Sequence, residues 1–90
     1  MRVACLTFWF YDYTIQMANE LAQHTKVLLL LPDYKSEEYL ENVEPGVEVH
    51  TFNYSRDAGR LGPSCYSMIR DIISTVSDFR PDIVHFQVNN

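Results

Sequence analysis

The chain has 90 residues, of which 47% are hydrophobic and 21% are charged, and this composition is typical of a globular chain with room for one domain. Seven Lys and Arg residues stand against twelve Asp and Glu residues, and because the basic residues are scattered, the charge pattern argues against a nucleic-acid partner. We expect the core to depend on a further packing surface, since a chain this short buries only about 60–65% of its unfolded surface.

The hydrophobic segments are all short. The longest unbroken aliphatic run is Val27–Leu31, whereas a membrane-spanning helix needs about 20 apolar residues. We therefore predict no transmembrane segment. The amino terminus runs through the apolar stretch Val3–Phe8 to Asp12 and lacks the features of a secretion signal, which predicts a cytoplasmic protein.

The first strand and helix follow from apolar spacing. Arg2–Phe8 is short and β-compatible, and an aromatic exit loop follows it. A helix is predicted from Asp12 onward, with Asp12 or Thr14 capping its first turn. The apolar residues that recur at helical spacing are Ile15, Ala18, Leu21 and Ala22.

The middle of the chain predicts two strands around a short helix. Val27–Leu31 is continuously apolar, which indicates a strand covered on both faces of a parallel sheet. Ser36–Asn42 is acidic and suits one or two surface helical turns. After the turn at Pro45-Gly46, apolar and polar residues alternate over Val47–Phe52, as in a more exposed edge strand.

The last third predicts a loop, a long helix and a fourth strand. Asn53–Pro63 is polar, has no periodicity and reads as a loop, and Pro63 suits the first turn of a helix. Arg80-Pro81 should end that helix, because the residue before a proline is pushed out of the helical region. Ile83–Val88 is then the fourth strand. The helix carries its apolar residues at steps of four and three: Cys65, Ile69, Ile72, Val76 and Phe79.

This order of elements predicts an α/β fold with a Rossmann-like parallel sheet of four strands in the order 3-2-1-4 and flanking helices. The first and fourth strands are then neighbours, and the crevice beyond their carboxyl ends is where such folds bind ligands. The loops after Phe8 and after Gln87 should meet there. The fourth strand would leave one sheet edge open, so we expect residues 1–90 to be part of a larger domain.

Several nucleotide-binding and signalling classes are disfavoured by absent motifs. The Gly-x-Gly-x-x-Gly fingerprint is missing after the first strand, and the three glycines, Gly46, Gly59 and Gly62, do not form a P-loop. A receiver domain would need an acidic pair after the first strand, where this chain has Phe8-Trp9-Phe10.

The cysteines and histidines do not have the spacing of a metal site. Cys5 and Cys65 lie in apolar periodic segments and are expected to be small buried hydrophobes. His24, His50 and His85 are 26 and 35 residues apart, and none has a second ligand at zinc spacing beside it. We predict neither a metal nor a cofactor in this chain.

Three segments carry a resemblance to a known family: Tyr13–Ala22, Val27–Pro32 and Arg80–Phe86. Together they resemble the amino-terminal domain of the family-four GT-B glycosyltransferases. The most distinctive is the Pro-Asp-Ile-Val-His sequence, Pro81 to His85. The other two patterns are shared by many α/β domains.

The resemblance implies transfer of a sugar from a nucleotide-sugar donor to a sugar or lipid-linked acceptor. In that family the amino-terminal domain mainly holds the acceptor, and a carboxy-terminal domain, which lies outside this chain, holds the donor. The resemblance therefore assigns no catalytic residue here, and the 90 residues alone should be inactive. Many members carry a glycine pair after the first strand, with which the loop approaches the donor phosphate, and this chain has Tyr11–Thr14 there instead.

The acceptor would meet aromatic and polar groups at the strand ends. Aromatic rings stack on sugar faces, and carboxylate, imidazole and amide groups hydrogen-bond hydroxyls. The candidate acceptor-binding residues are Trp9, Phe10, Tyr11, Asp12, His85, Gln87 and Asn89. The commoner role of such aromatic residues is to cover the core, and a strand histidine more often has a structural hydrogen bond.

Two other functions fit the same pattern. One is a small stand-alone α/β binding or regulatory module whose crevice recognises a metabolite. The other is a truncated Rossmann-type sensor or epimerase-like domain. The continuation of the reading frame separates these functions from the transferase, which needs roughly 250 further residues for a second domain.

Overall fold

A computed structural model describes residues 1–8, 11–33, 36–54 and 63–87. The elements in chain order are β1 (Arg2–Thr7), α1 (Tyr11–Leu21), β2 (Lys26–Pro32), α2 (Ser36–Leu40), β3 (Val47–Phe52), α3 (Pro63–Phe79) and β4 (Ile83–Gln87). The four strands form one sheet in the order β3-β2-β1-β4, and every neighbouring pair is parallel. The predicted fold class and strand order are confirmed.

The helices cover the two faces of the sheet in the way right-handed crossovers require. The strand order first moves from β1 to β2 and β3, and α1 and α2 pack on one face. It then reverses to place β4 on the other side of β1, and α3 packs on the opposite face. A right-handed connection changes face when the direction of strand addition reverses, so the packing agrees with the topology.

The centre of the sheet is apolar on both faces. In β2 every residue after Lys26 is buried, which confirms the prediction of a strand covered on both sides. The layer under α1 includes Val3, Cys5, Val27, Leu29 and Leu31. The layer under α3 includes Ala4, Leu6, Leu28, Leu30 and Phe52.

The two edge strands differ. In β3 only Val47 and Phe52 are buried, which confirms an exposed edge strand. In β4 three apolar side chains are about half exposed: Ile83 at 49%, Val84 at 53% and Phe86 at 46%. Because neighbouring residues of a strand point to opposite faces, β4 exposes apolar surface on both faces.

Helix α1 starts one residue earlier than predicted, and its predicted cap is wrong. Asp12 is already the second residue of the helix, and the buried hydroxyl of Thr14 has no hydrogen-bond partner. At the other end the hydroxyl and the backbone N–H of Thr25 both donate to the Leu21 carbonyl, at 3.1 and 2.9 Å. The Asn19 side chain ties α1 to the segment before β3, donating to the Asn42 carbonyl and accepting from the Glu44 N–H, each at 2.9 Å.

Helix α3 begins at Pro63 as predicted, but one predicted core residue faces solvent. Met68 packs into the core, with Ile72, Val76 and Phe79 along the same face, whereas Ile69 is 44% exposed. The apolar residues of α3 cover more than one face of the helix. Their spacing in the sequence therefore could not show which of them face the sheet and which face solvent. The predicted loop over 53–63 falls mostly on residues 55–62, outside the described residues.

Helix α3 ends before Pro81, as predicted. The backbone conformation of the residue that follows the helix was not predicted. Arg80 has φ 54°, which is the left-handed region that favours glycine, and its N–H donates to the Val76 carbonyl at 3.1 Å. This is a common way to end a helix. Next to it, Arg2 fixes the start of β1 by donating its N–H to Asp82 Oδ2 at 2.9 Å and its Nη1 to the Phe79 carbonyl at 3.0 Å.

Among the described residues, no helix combines the length and the apolar character needed to cross a membrane.

Candidate functional site

The candidate site lies at the carboxyl edge of the sheet, where β1 and β4 end side by side. Thr7 and Gln87 are register partners in the parallel pair of β1 and β4. Helix α1 starts at Tyr11, shortly after β1 ends. Strand order reverses at β1, and open α/β sheets bind ligands beyond the carboxyl ends at such a point.

The structure describes some of the predicted site residues and not others. Trp9, Phe10 and Asn89 lie outside the described residues, and Tyr11 is the first residue of α1. Asp12 is exposed in the first turn of α1. A carboxylate there is stabilised by the positive end of the helix dipole and can accept hydrogen bonds from ligand hydroxyls.

His85 and Gln87 lie together on the face of β4 that is turned towards α1. Their register partners in β1 are Cys5 and Thr7, which are both fully buried. His85 Nε2 lies 3.2 Å from Gln87 Oε1, and both residues are half-buried. Since the amide oxygen can only accept, the imidazole Nε2 donates this hydrogen bond. His85 therefore has a hydrogen-bond partner within its own strand. Such a structural hydrogen bond was one of the two roles that the sequence allowed for this histidine.

An aromatic cluster lies at the same edge on the opposite face, and sequence reasoning did not place it in the site. Phe8 is its centre. Ring centroids lie 5.2 Å apart for Phe8 and Phe52, 5.8 Å for Phe8 and Tyr54, and 5.7 Å for Phe8 and Phe86. These separations fall in the favourable range for tilted and edge-on aromatic pairs. Phe52 is buried, but Phe86 is 46% exposed and can offer part of its surface to a ligand.

The position of these rings along their strands was a usable signal. Phe52 ends β3, Phe86 is the second-last residue of β4, and Phe8 directly follows β1. In a parallel sheet the carboxyl ends of all strands lie at one edge, so aromatic residues that close several strands must lie near one another. The cluster could therefore have been predicted from the strand boundaries and the sheet order together.

Asp33 fixes the rim of this edge between β2 and β3. Its N–H donates to the Phe52 carbonyl at 2.8 Å, and its Oδ1 accepts from the Tyr54 N–H at 3.1 Å. The side chain is exposed, so it adds a second acidic group to the carboxyl edge besides Asp12. These bonds hold Tyr54 next to Phe8 and give the aromatic cluster a fixed boundary.

The groups that the structure describes at this edge are suited to binding. Cys65, near the start of α3, is half-buried and not fully buried as predicted. Cys5 in β1 is fully buried, and burial raises its pKa from 9.0 to about 11. A neutral thiol is a poor nucleophile. What the described residues offer is a set of hydroxyl-binding groups and partly exposed rings: Asp12, Asp33, His85, Gln87, Tyr54 and Phe86.

A comparison with known protein families identifies a match for nearly the whole chain. The model of the family described as "Glycosyl transferase 4-like" matches residues 2–90. No curated protein and no solved structure matches the chain significantly.

Proposed function

The chain belongs to the glycosyl transferase 4-like family, and we propose that it is the acceptor-side part of an enzyme that moves a sugar from a nucleotide-sugar to an acceptor hydroxyl. The observation that carries this proposal is the family match over residues 2–90, which spans β1, β4 and the carboxyl edge between them. The acceptor is a sugar or a lipid-linked sugar. A cytoplasmic location stays a prediction from the sequence.

The carboxyl edge supports this role through its chemistry. Asp12 accepts hydrogen bonds from sugar hydroxyls, the Gln87 side-chain amide donates hydrogen bonds to them, and the exposed part of Phe86 packs against a sugar face. His85 orients the Gln87 amide through their hydrogen bond. The contribution of these residues to the rate is positioning, because holding an acceptor hydroxyl in line with a donor removes much of the entropic barrier.

The donor is bound by a second domain in this proposal, and the described residues support that division. They include no Gly-x-Gly-x-x-Gly turn after β1, and the only non-glycine backbone with positive φ among them is Arg80, far from the carboxyl edge. The 90 residues alone are then unable to transfer a sugar. Measurable turnover of a nucleotide-sugar by the isolated chain would contradict the two-domain mechanism.

We also propose that the domain extends beyond β4 with a further helix and strand. The exposed apolar surface of β4 supports this. On the α3 face, Val84 is 53% exposed. A strand added at the free edge of β4 continues the direction of strand addition that α3 began, so its right-handed crossover must pass over this same face.

The outer surface of α3 supports the same helix position. Tyr66, Ile69 and Ile73 lie at steps of three and four and are 64%, 44% and 59% exposed. The opposite flank of α3 faces β3, because Asp71 and Thr75 contact His50 there. The exposed stripe is therefore on the β4 side of α3. A helix that crosses over β4 would lie beside α3 and pack against this stripe.

A charge placed in this stripe tests the extension. Ile73→Lys should change the free energy of unfolding of the 90-residue chain by less than about 0.5 kcal/mol, because the side chain is already largely exposed. In a longer chain that contains the next helix, the same change should cost about 2–4 kcal/mol, because it buries an unpaired charge. Glu20→Lys, on the exposed part of α1, is the control. Equal small effects of Ile73→Lys in both chains would contradict the extension.

Acceptor binding is tested directly by NMR titration of the chain with methyl glycosides of glucose, galactose and N-acetylglucosamine. The expected result is a set of amide shift changes confined to Asp12, His85, Gln87 and their neighbours. Gln87→Ala should weaken the binding about 5–10-fold, which corresponds to one lost hydrogen bond of about 1–1.5 kcal/mol. Gln23→Ala, on the exposed segment after α1, is the matched control. Shift changes at the opposite edge, or none with any sugar, would contradict the acceptor role.

The stand-alone metabolite-binding module remains the alternative. It would bind a small molecule at the same crevice, and no longer chain containing it would transfer a sugar. A radiolabelled-donor assay on the longer chain separates the two functions, since only the transferase moves label from the nucleotide to the acceptor.

A further inference from the structure

A second concave surface lies at the amino edge of the sheet, opposite the carboxyl edge. It is a cavity of about 380 Å³ between the last turns of α3 and the first residues of β1, β2 and β3. The buried side chains of Leu28 and Phe79 line it, and Thr75 contributes a hydroxyl. Its size is within the range of small-molecule sites, which combine an apolar floor with a few polar groups.

Four charged side chains line the cavity, two of each sign. Arg2 and Lys26 are register partners in β1 and β2, and both lie on the α3 face together with Leu28. Like charges directly opposite each other on a sheet are destabilising unless something compensates them. The acidic side chains are Glu48, the register partner of Leu28, and Asp78 of α3.

These charges do not neutralise one another within the protein. Arg2 donates to the Phe79 carbonyl and lies over its ring, 5.9 Å from the centroid. Across the described part of the chain, the Lys26 ammonium and the Glu48 and Asp78 carboxylates form no ion pair or hydrogen bond. Two cations and two anions therefore face one cavity with unused capacity for partners.

We propose that this cavity binds a small zwitterion that carries a carboxylate and an ammonium group, as an amino acid does. The carboxylate is held by Lys26 and by the guanidinium edge of Arg2 that is free of the Phe79 contact. The ammonium group is held by Glu48 and Asp78. A simple anion or a simple cation would satisfy one pair and meet repulsion from the other, so the site selects ligands with both charges.

The probes for this site are the ω-amino acids from glycine to 6-aminohexanoate, added to ¹⁵N-labelled protein at low salt. Acetate and methylammonium are the single-charge controls. One chain length should bind best, and it should shift the amide signals at the starts of β2 and β3. Each single-charge probe should bind about 2–5-fold more weakly, as expected for the loss of an exposed ion pair. Raising the salt to about 0.5 M should weaken binding further.

Variants assign the charges. Lys26→Gln and Glu48→Gln should each weaken the best probe about 2–5-fold, and both side chains are exposed, so folding should be unaffected. Glu20→Gln, on the exposed face of α1, is the matched control for lost negative charge. The proposal is overturned if no probe shifts these amides, if acetate binds as well as the zwitterions, or if Glu20→Gln weakens binding as much as Glu48→Gln.

Discussion

Phe8 should stabilise the carboxyl edge through its ring contacts, and Phe8→Leu tests this with little change in volume. Phe8 contacts the rings of Phe52, Tyr54 and Phe86, all with centroids within 6 Å. Each aromatic pair contributes about 0.5–1.5 kcal/mol beyond the area it buries. Because Phe8 is only half-buried, we expect the lower part of that range and a total loss of about 1.5–2.5 kcal/mol.

The assay is urea unfolding followed by circular dichroism. The midpoint should fall with an unchanged slope, since the surface exposed on unfolding hardly changes. The melting temperature should drop by about 6–20 °C, given about 4–8 °C per kcal/mol for a domain of this size.

Phe86→Leu is the matched comparison, because its one ring contact that the structure gives is with Phe8. It should cost about 0.5–1 kcal/mol, and the double variant should show a coupling free energy of about 0.5 kcal/mol or more. Additive effects of the two changes, or a Phe8→Leu variant as stable as the parent, would refute the ring-contact reasoning.

Three further changes test other parts of the fold. Asn19→Ala should lower the free energy of unfolding, measured in urea, by about 1–2 kcal/mol, because it removes two hydrogen bonds. Asn42→Ala should not lower it, since only the backbone carbonyl of Asn42 takes part. Equal effects of the two changes would contradict a stabilising role of the Asn19 side chain. Arg80→Gly should raise the melting temperature, because glycine adopts positive φ without the cost of about 1 kcal/mol that other residues meet, and a lowered melting temperature would contradict this. Burial raises the pKa of Cys5 to about 11, so the folded state keeps a proton that the unfolded chain releases near pH 9, and stability should fall as the pH rises from 9 to 11. Cys5→Ala should flatten that fall and Cys65→Ala should not; an unchanged fall in Cys5→Ala would show that other groups cause it.

The sheet was predictable from the sequence because its strands have unambiguous patterns. The continuous apolar run Val27–Leu31 suited a strand covered on both faces better than a half-exposed one, and the alternation after Pro45-Gly46 indicated an edge. Helical segments between the strands required parallel pairing, and right-handed crossovers left 3-2-1-4 as the simplest order. The structure agrees on each point.

The details at helix ends were less predictable, because they depend on tertiary geometry. Asp12 and Thr14 are both good capping residues, but α1 already starts at Tyr11, so both residues lie inside the helix. On α3, Ile69 and Met68 are adjacent apolar residues, and which of them faces the sheet depends on the exact rotation of the helix. Arg80 adopts the left-handed region because the chain must turn at once into β4.

The candidate site was predictable in its position and only partly in its members. The rule that ligands bind where strand order reverses pointed to the ends of β1 and β4, and Thr7 and Gln87 are indeed register partners there. The partnership of Phe8 with Phe52, Tyr54 and Phe86 involves three strands, so it follows only when the strand boundaries are combined with the sheet order. The amino-edge cavity could not be predicted from any one segment, since its charges come from four separate elements.

The acceptor-side role is tested most directly by melting the isolated chain with saturating acceptor sugar and, separately, with saturating nucleotide-sugar donor. At a ligand concentration about 100 times its dissociation constant, binding to the folded state adds about 2.7 kcal/mol of stability. The account predicts that an acceptor sugar raises the melting temperature by about 10 °C or more, and that UDP-glucose and GDP-mannose leave it unchanged. A rise with the donors and none with any acceptor sugar would contradict it.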